Sequence, residues 1–476
     1  MKSYSVGFLA ATLLFGKVIP TLQAQSPGTF TATGNLITAE PSPFATFLSN
    51  GKVLVTGNSA ELYDPVSGSF SPTGAIDSRA FNSCTLLADG RVLIAGGYDL
   101  ANNTLSTAEV YDPSTGTFTP TGNMTTPRAG HNAVLLNTGK VLIVGGETTG
   151  GQVSDTLAEL FDPDSGTFTT TGSFAGAGPY TVTATLLADG RVLVIAYYTF
   201  LAGLYDPATG TFSTIGGGIE ASTATLLANG KVLFAGGTSD DGSSNLAYLY
   251  DPATQRFSAT GSMSASRLGQ SATLLGDGTV LIAGGQVLPG NGTGPPLASD
   301  EIYDPITGTF SVRGNMMTAR VVPAASLLPD GTTLVAGGSG GVPPIPGQAP
   351  STSAEIYHPA NPTKSPALFT TSTGQAVVWN GATGVLVSPG GVFVPAHADD
   401  ILSTYTNNLI EGGAIPPQIS VGGKAAKIFY FGDAPGYPGY FQVNFQVPSG
   451  VAAGSAVPVV LAYIGRSSNA VTIAVQ

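Results

Sequence analysis

Residues 86–97 read LLADGRVLIAGG. The phrase returns at Leu186 (LLADGRVLV) and Leu226 (LLANGKVLFAGG), and more loosely at Leu48 (LSNGKVLVTGN), Leu135 (LLNTGKVLIVGG), Leu274 (LLGDGTVLIAGG) and Leu327 (LLPDGTTLVAGG). Each copy holds two β-rich runs joined by a glycine turn, usually Asp-Gly or Asn-Gly, which reads as a hairpin because those residues tolerate the positive φ of a tight turn. One chemical site has no use for seven copies. The phrase is therefore architecture, and chemistry must be sought where a copy departs from the rest.

A second phrase, aromatic-Asp-Pro (His-Pro in the last copy), follows each hairpin, with its aromatic at Tyr63, Tyr111, Phe161, Tyr205, Tyr250, Tyr303 and Tyr357. A third, Gly-Thr-Phe or a variant, ends at Phe30, Phe70, Phe118, Phe168, Phe212, Phe257 and Phe310. Each unit thus predicts four antiparallel strands: a hairpin, a third strand stopped by proline, and a fourth after a turn. Four strands repeating about every 50 residues are the mark of a propeller blade. The first Gly-Thr-Phe precedes any first strand, and the last unit lacks a fourth. Residues 28–33 are therefore expected to complete the seventh blade and close the ring, removing its open edges.

The repeats resemble the kelch-type propellers, in particular the group that includes galactose oxidase. The resemblance rests on the doublets Gly96-Gly97, Gly145-Gly146, Gly236-Gly237, Gly284-Gly285 and Gly337-Gly338, on the Tyr-Asp-Pro strand, and on an arginine ahead of the first strand; it covers about residues 28–360. WD repeats are excluded by the lack of any Trp-Asp pair, the only tryptophan being Trp379. A copper-radical oxidase of the galactose oxidase kind implies two His and two Tyr ligands, a Cys bonded to one Tyr, and a stacked Trp. Alignment on the repeats puts Gly130 where the radical Tyr belongs, and no Trp lies in the propeller. The resemblance therefore extends to the fold and not to that active site, and no metal or other cofactor is expected.

Composition sets the wider frame. The chain has 476 residues, 42% of them hydrophobic and only 10% charged, with a formal charge of −12. Such a chain folds, and it lacks the basic patch that nucleic acid requires. Residues 1–24 are expected to be a signal peptide, with Lys2 ahead of the apolar run Val6 to Phe15, so the protein reads as secreted or held at the cell surface, extracellular or periplasmic. No later run reaches the ~18 apolar residues of a membrane span. One cysteine, Cys84, permits no internal disulfide. The propeller is assigned to 25–360. Residues 361–476 carry alternating runs such as QISVGG, YFQVNFQVP and AVPVVLAYI and read as a small Ig-like β-sandwich; the stretch resembles a C-terminal domain of secreted acidobacterial proteins.

Most polar residues that look chemical have a structural reading. Asp64, Asp112, Asp162, Asp206, Asp251 and Asp304 sit in Asp-Pro turns. Cys84 stands where sister blades have Ala, His131 where they have Asn82 and Gln270, and His358 replaces the turn Asp of the last blade. The loops between second and third strands vary widely and share one face, the usual place for binding on a rigid scaffold. Tyr98, Glu147, Tyr197, Tyr198, Asp240 and Asp241 fall there and are the candidate binding residues.

Arginines occupy one slot ahead of the first strand, at Arg79, Arg128, Arg267 and Arg320; glutamates occupy another, two residues before the third-strand aromatic. Blades 2, 3, 6 and 7 have both, and blades 4 and 5 have neither. The co-occurrence predicts ion pairs within a blade: Arg79–Glu109, Arg128–Glu159, Arg267–Glu301 and Arg320–Glu355. The sequence is thus expected to encode a secreted, non-catalytic binding or adhesion module for carbohydrate or protein at the cell surface. The alternative is an extracellular carbohydrate-active enzyme, either a galactose oxidase-like oxidase or a glycoside hydrolase.

Overall fold

The computed structural model describes residues 28–148, 152–153, 157–174, 182–196, 201–217, 219, 221–239, 242–289, 294–339, 350–360, 368, 378–380, 395–407, 409, 417–434, 440–463, 466–468 and 471–476. All regular structure among them is β, and none of it is a helix long and apolar enough to cross a membrane.

Seven four-stranded antiparallel sheets form seven blades. Blade 2 is typical: Ser83–Leu86, Val92–Ala95, Ala108–Asp112 and Thr117–Pro120 pair in sequence order. The first strand of every blade packs against the first strand of the next, and that of blade 7 (Ala324–Leu327) against that of blade 1 (Phe44–Phe47), so the circle is closed. Residues Thr29–Ala32 supply the outer strand of blade 7, pairing Thr29 with His358, Phe30 with Tyr357, Thr31 with Ile356 and Ala32 with Glu355. The chain therefore joins its two ends within one sheet, as the displaced Gly-Thr-Phe predicts.

Burial follows from this stacking. Second strands such as Val92–Ala95 and Val141–Val144 are buried at every position, because both faces of a blade meet neighbours. That is why they read as continuous apolar runs rather than alternating ones. The fourth strands form the outer wall and keep one inward phenylalanine each. Tyr111 lies opposite Phe118 with ring centroids 4.7 Å apart, and an equivalent pair recurs in every blade.

The recurrent polar residues join blades or turn the chain. Each Asp-Pro aspartate accepts the N–H two residues on, as Asp112 does from Ser114 at 2.8 Å and Asp304 from Ile306 at 2.8 Å. Tyrosine hydroxyls reach back one blade, Tyr63 to Thr33 at 2.8 Å and Tyr111 to Thr73 at 2.8 Å. The doublets are glycine because a Cβ on Gly96 would come within 2.4 Å of Arg128 O, where two blades touch. Beside it, Gly97 N–H donates to that same carbonyl at 2.9 Å.

Beyond the propeller lie two further sheets. One orders Val378–Asn380, Ile401–Thr406, Phe441–Gln446 and Ile428–Asp433; the other is built on Gln418–Val421, Lys424–Ala426, Gly454–Tyr463 and Val471–Val475. Inward residues of both, among them Leu402, Val443, Phe445, Ile419, Val459 and Leu461, share one apolar core. A turn of the second sheet meets the propeller, Lys424 Nζ lying 2.8 Å from Asp164 Oδ2 of blade 3.

Candidate functional site

The arginines come first, since free guanidinium groups would make the loop face a cationic ring. They are not free. Arg79 is 1% exposed and Arg128, Arg267 and Arg320 are wholly buried. Within each blade Nη2 faces a glutamate oxygen: Arg79–Glu109 at 3.5 Å, Arg128–Glu159 at 3.0 Å, Arg267–Glu301 at 2.9 Å and Arg320–Glu355 at 2.7 Å. Nη1 donates to the carbonyl of the first doublet glycine, as Arg320 does to Gly337 at 2.9 Å. The carboxylate also accepts N–H groups from the segment entering the blade: Glu159 takes those of Thr125 and Thr126, and Glu355 those of Met317 and Thr318. The arginine backbone meanwhile binds the preceding blade, Arg320 O accepting from Gly285 at 2.8 Å. Each clip thus fixes entry segment, second strand and third strand, and ties one blade to the last. Burial lowers the pKa values of Arg79 and Arg320 and raises that of Glu109.

Blade 1 solves the same problem with the charge reversed, which the sequence did not disclose. Glu40 stands in the arginine slot and, instead of donating to carbonyls, accepts from Asn58 N, Ser59 N and Ser59 Oγ at 2.8, 2.9 and 2.7 Å. In blade 4 the glutamate slot is Gly203, and Phe174 fills its space: a Cβ there would fall 2.4 Å from the ring.

With these groups committed to the scaffold, the loop face retains, among the described residues, a cluster built from departures. Tyr98 and Glu147 follow the doublets of blades 2 and 3 and bridge Ala80 and Ala129 in equivalent register. The structure brings these two candidates together: Tyr98 Oη donates to Glu147 Oε1 across the blade boundary. Phe81 stands edge-on to Tyr98, with centroids 6.2 Å apart at 84°, and is 46% exposed. Its φ is +56°, a conformation a bulky residue avoids and which costs ~1–3 kcal/mol. The equivalent positions of blades 3 and 6 are Gly130 and Gly269, at φ +65° and +71°, and that of blade 7 is Val322, at φ +52°, so the conformation belongs to the repeat and what distinguishes Phe81 is its exposed ring. Gly130 N–H donates to Phe81 O at 2.8 Å, and a Cβ on Gly130 would meet nothing within 4 Å. An exposed aromatic ring thus borders open floor, with a phenol and a carboxylate set beside it. Asp99, on the same blade-2 loop, is occupied by its own turn, accepting from Ala101 N, Asn103 N and Asn103 Nδ2. Those bonds hold its carboxyl below the usual range. The other candidates, Tyr197, Tyr198, Asp240 and Asp241, lie outside the described residues.

The donor set does not fit the copper-radical chemistry that the family resemblance implies. His131 is 5% exposed and turned into the seam with blade 2, Nε2 lying 2.9 Å from Ser83 Oγ. Burial, with Arg128 nearby, pushes its pKa down to about 3. His358 is at the outer wall of blade 7, 2.8 Å from Thr31 Oγ1, and His397 belongs to the C-terminal unit. Cys84 faces blade 1, its Sγ 3.4 Å from Thr46 Oγ1 and 3.6 Å from Thr56 Oγ1, with its pKa raised by burial. No three His, Cys, Asp or Glu side chains are grouped to hold a metal ion among the described residues.

Sequence reasoning passed over two residues. Phe81 carried a signal only in hindsight, as a bulky side chain where blades 3 and 6 have glycine. Asp300 carried a plain one: three residues before the third-strand aromatic, the other six blades have Ala60, Ala108, Ala158, Ala202, Ala247 and Ala354. Asp300 is wholly buried, and its carboxylate has only the backbone N–H groups of Asp300 and Gly314 beside it, neither in good hydrogen-bond geometry. Burial raises its pKa to about 6 despite the favourable field of Arg267.

Comparison with known proteins agrees with the fold. The kelch motif matches residues 79–125, which span the blade-2 repeat. Among solved structures, a fungal alcohol oxidase of the AA5 family, determined in complex with copper, superimposes with a TM-score of 0.64. The alignment covers 95% of this chain and 100% of that one at 17% identity. No curated protein matches the chain. The chain thus shares the propeller fold of that oxidase, and one of its blades matches the kelch motif.

Proposed function

We propose that this protein is a secreted, non-catalytic binding module that takes a carbohydrate on the loop face of its propeller, at Phe81, Tyr98 and Glu147. The carrying observation is Phe81 itself: an exposed ring beside open floor and next to a phenol and a carboxylate, where blades 3 and 6 have glycine. Its ring offers a face or edge to the C–H side of a sugar, while Glu147 accepts hydroxyl hydrogens and Tyr98 orients it. Export rests on the apolar N-terminal segment, and the ligand is accordingly placed outside the cell or at its surface.

The rival reading, an oxidase or glycoside hydrolase acting on extracellular carbohydrate, draws on the fold shared with the alcohol oxidase. An oxidase requires a ligand set that His131, Cys84 and Gly130 do not provide, and a hydrolase requires a second free carboxylate beside Glu147, where Asp99 is committed to its loop. Glycan-array binding by the purified full chain and its Phe81→Gly variant tests the proposal. Stoichiometric copper, with hydrogen peroxide released from sugars or alcohols, would establish the rival instead.

A further inference from the structure

The C-terminal unit carries an exposed aromatic and amide surface. In strand Phe441–Gln446 the buried residues are Phe441, Val443 and Phe445, so Gln442, Asn444 and Gln446 face outward. Register extends two of these positions into cross-strand rows. One runs Ser403, Asn444, Tyr430; the next runs Tyr405, Gln442, Gly432. Neither row holds a charged residue. Gln442 Nε2 donates to Asn444 Oδ1 at 2.9 Å, which aligns the two amides and leaves further donor and acceptor positions on each.

Tyr430 is the most informative member. It is 43% exposed, and its ring lies over Gly432: a Cβ there would sit 2.9 Å from Oη and 3.2 Å from Cζ. Gly432 does not have a positive φ, so the glycine serves space rather than backbone conformation. The hydroxyl donates to Asp433 O at 3.4 Å, pinning the ring in place. A bulge between Ile428 and Tyr430 turns Phe429 outward as well, 49% exposed with Lys427 Nζ 4.9 Å from its ring centre. The other sheet meets the propeller through Lys424 and Asp164, while Phe429 and Tyr430 are 49% and 43% exposed.

We propose that this face is a second carbohydrate site, separate from the loop-face site, for an extended, neutral polysaccharide of flat, equatorially linked sugar rings. A ring laid flat presents a π-face, and such faces stack on the C–H side of a pyranose. Planar amides exchange hydrogen bonds with hydroxyls, and the two central rows, with Lys427 and Asp399 at their margin, suit a neutral chain. Four strands at ~4.8 Å spacing give a platform ~14 Å across, room for about three sugar units.

The test is native affinity electrophoresis of the full chain through gels containing soluble mixed-linkage β-glucan, with polygalacturonate as the anionic contrast. β-Glucan retards the wild type. Tyr430→Ala and the double variant Gln442→Ala/Asn444→Ala weaken retention about tenfold, the loss expected of a central contact. Tyr430→Phe keeps most of it, Gly432→Ala weakens it by displacing the ring, and Phe81→Gly leaves it unchanged. Circular dichroism establishes that each variant folds. Four results would overturn the proposal: no retardation of the wild type by β-glucan, retention that survives Tyr430→Ala, retention lost in Phe81→Gly alone, or a wild-type dimer in sedimentation that Tyr430→Ala dissociates.

Discussion

Replacing Asp300 with alanine gives blade 6 the residue that the other six blades already have at that position. In the wild type burial outweighs the field of Arg267 and the backbone N–H groups of Asp300 and Gly314, and the carboxyl pKa rises from 3.8 to about 6. The native state therefore favours the protonated acid. Below pH ~4 the acid is neutral in folded and unfolded chains alike, and Asp300 costs little. As pH rises through ~6, the unfolded chain ionises freely while the folded one resists, and stability is lost. A shift of about 2 pKa units corresponds to ~3 kcal/mol, fully felt above pH ~6. Asp300→Ala should thus be more stable than wild type by up to ~3 kcal/mol at pH 7.5, with the advantage shrinking towards zero by pH 4. Urea unfolding followed by tyrosine fluorescence at a series of pH values measures the difference directly. A pH-independent difference, or a variant less stable at pH 7.5, would refute the reasoning and mean that Asp300 has a partner at neutral pH.

The other clips and seams give further expectations. Arg128→Met strands Glu159 as a buried charge and should cost ~3–5 kcal/mol, whereas Arg128→Met with Glu159→Leu should recover much of that loss, as a double-mutant cycle in urea would show. Tyr111→Phe removes the bond to Thr73 and should cost ~1 kcal/mol in the same assay, a modest loss because blade 3 already functions with Phe161. His131→Gln should fold normally, since Gln270 occupies the same slot in blade 6 and bonds across its seam. The histidine pKa falls from 6.5 to about 3 in the fold, so its stabilising effect is complete above pH 6.5 and lost as pH falls towards 3. The glutamine variant should therefore gain on wild type by ~2–3 kcal/mol at pH 4.5.

The fold was legible because every blade answers the same demands. Glycine doublets, Tyr–Phe pairs and Asp-Pro turns recur wherever blades touch or chains turn, and repetition makes a single constraint visible seven times. Even the arginine partners could be read, because blades that lose one residue of the slot pair generally lose the other. The exception, blade 1, shows the limit: Glu40 preserves the clip by exchanging carbonyl acceptors for amide donors, a solution that spacing alone does not reveal. Sites were harder to read for a related reason. Phe81 is marked by an exposed ring where blades 3 and 6 have glycine and Tyr430 by its ring lying over Gly432, and both are properties of side-chain placement in the folded chain. Asp300 was readable against six alanines, but it attracts notice only when the third strand is aligned for its small residues rather than for its carboxylates.

The central claim is that the loop face binds carbohydrate through Phe81 and performs no chemistry on it. Glycan-array binding by wild type and Phe81→Gly, measured side by side, addresses it most directly, because glycine is the residue blades 3 and 6 use there and the variant should fold as well as the parent. The account predicts a defined set of glycans bound by wild type and weakened about tenfold or more in the variant, with unchanged unfolding behaviour. Equal binding by both proteins, or binding by neither, would contradict it.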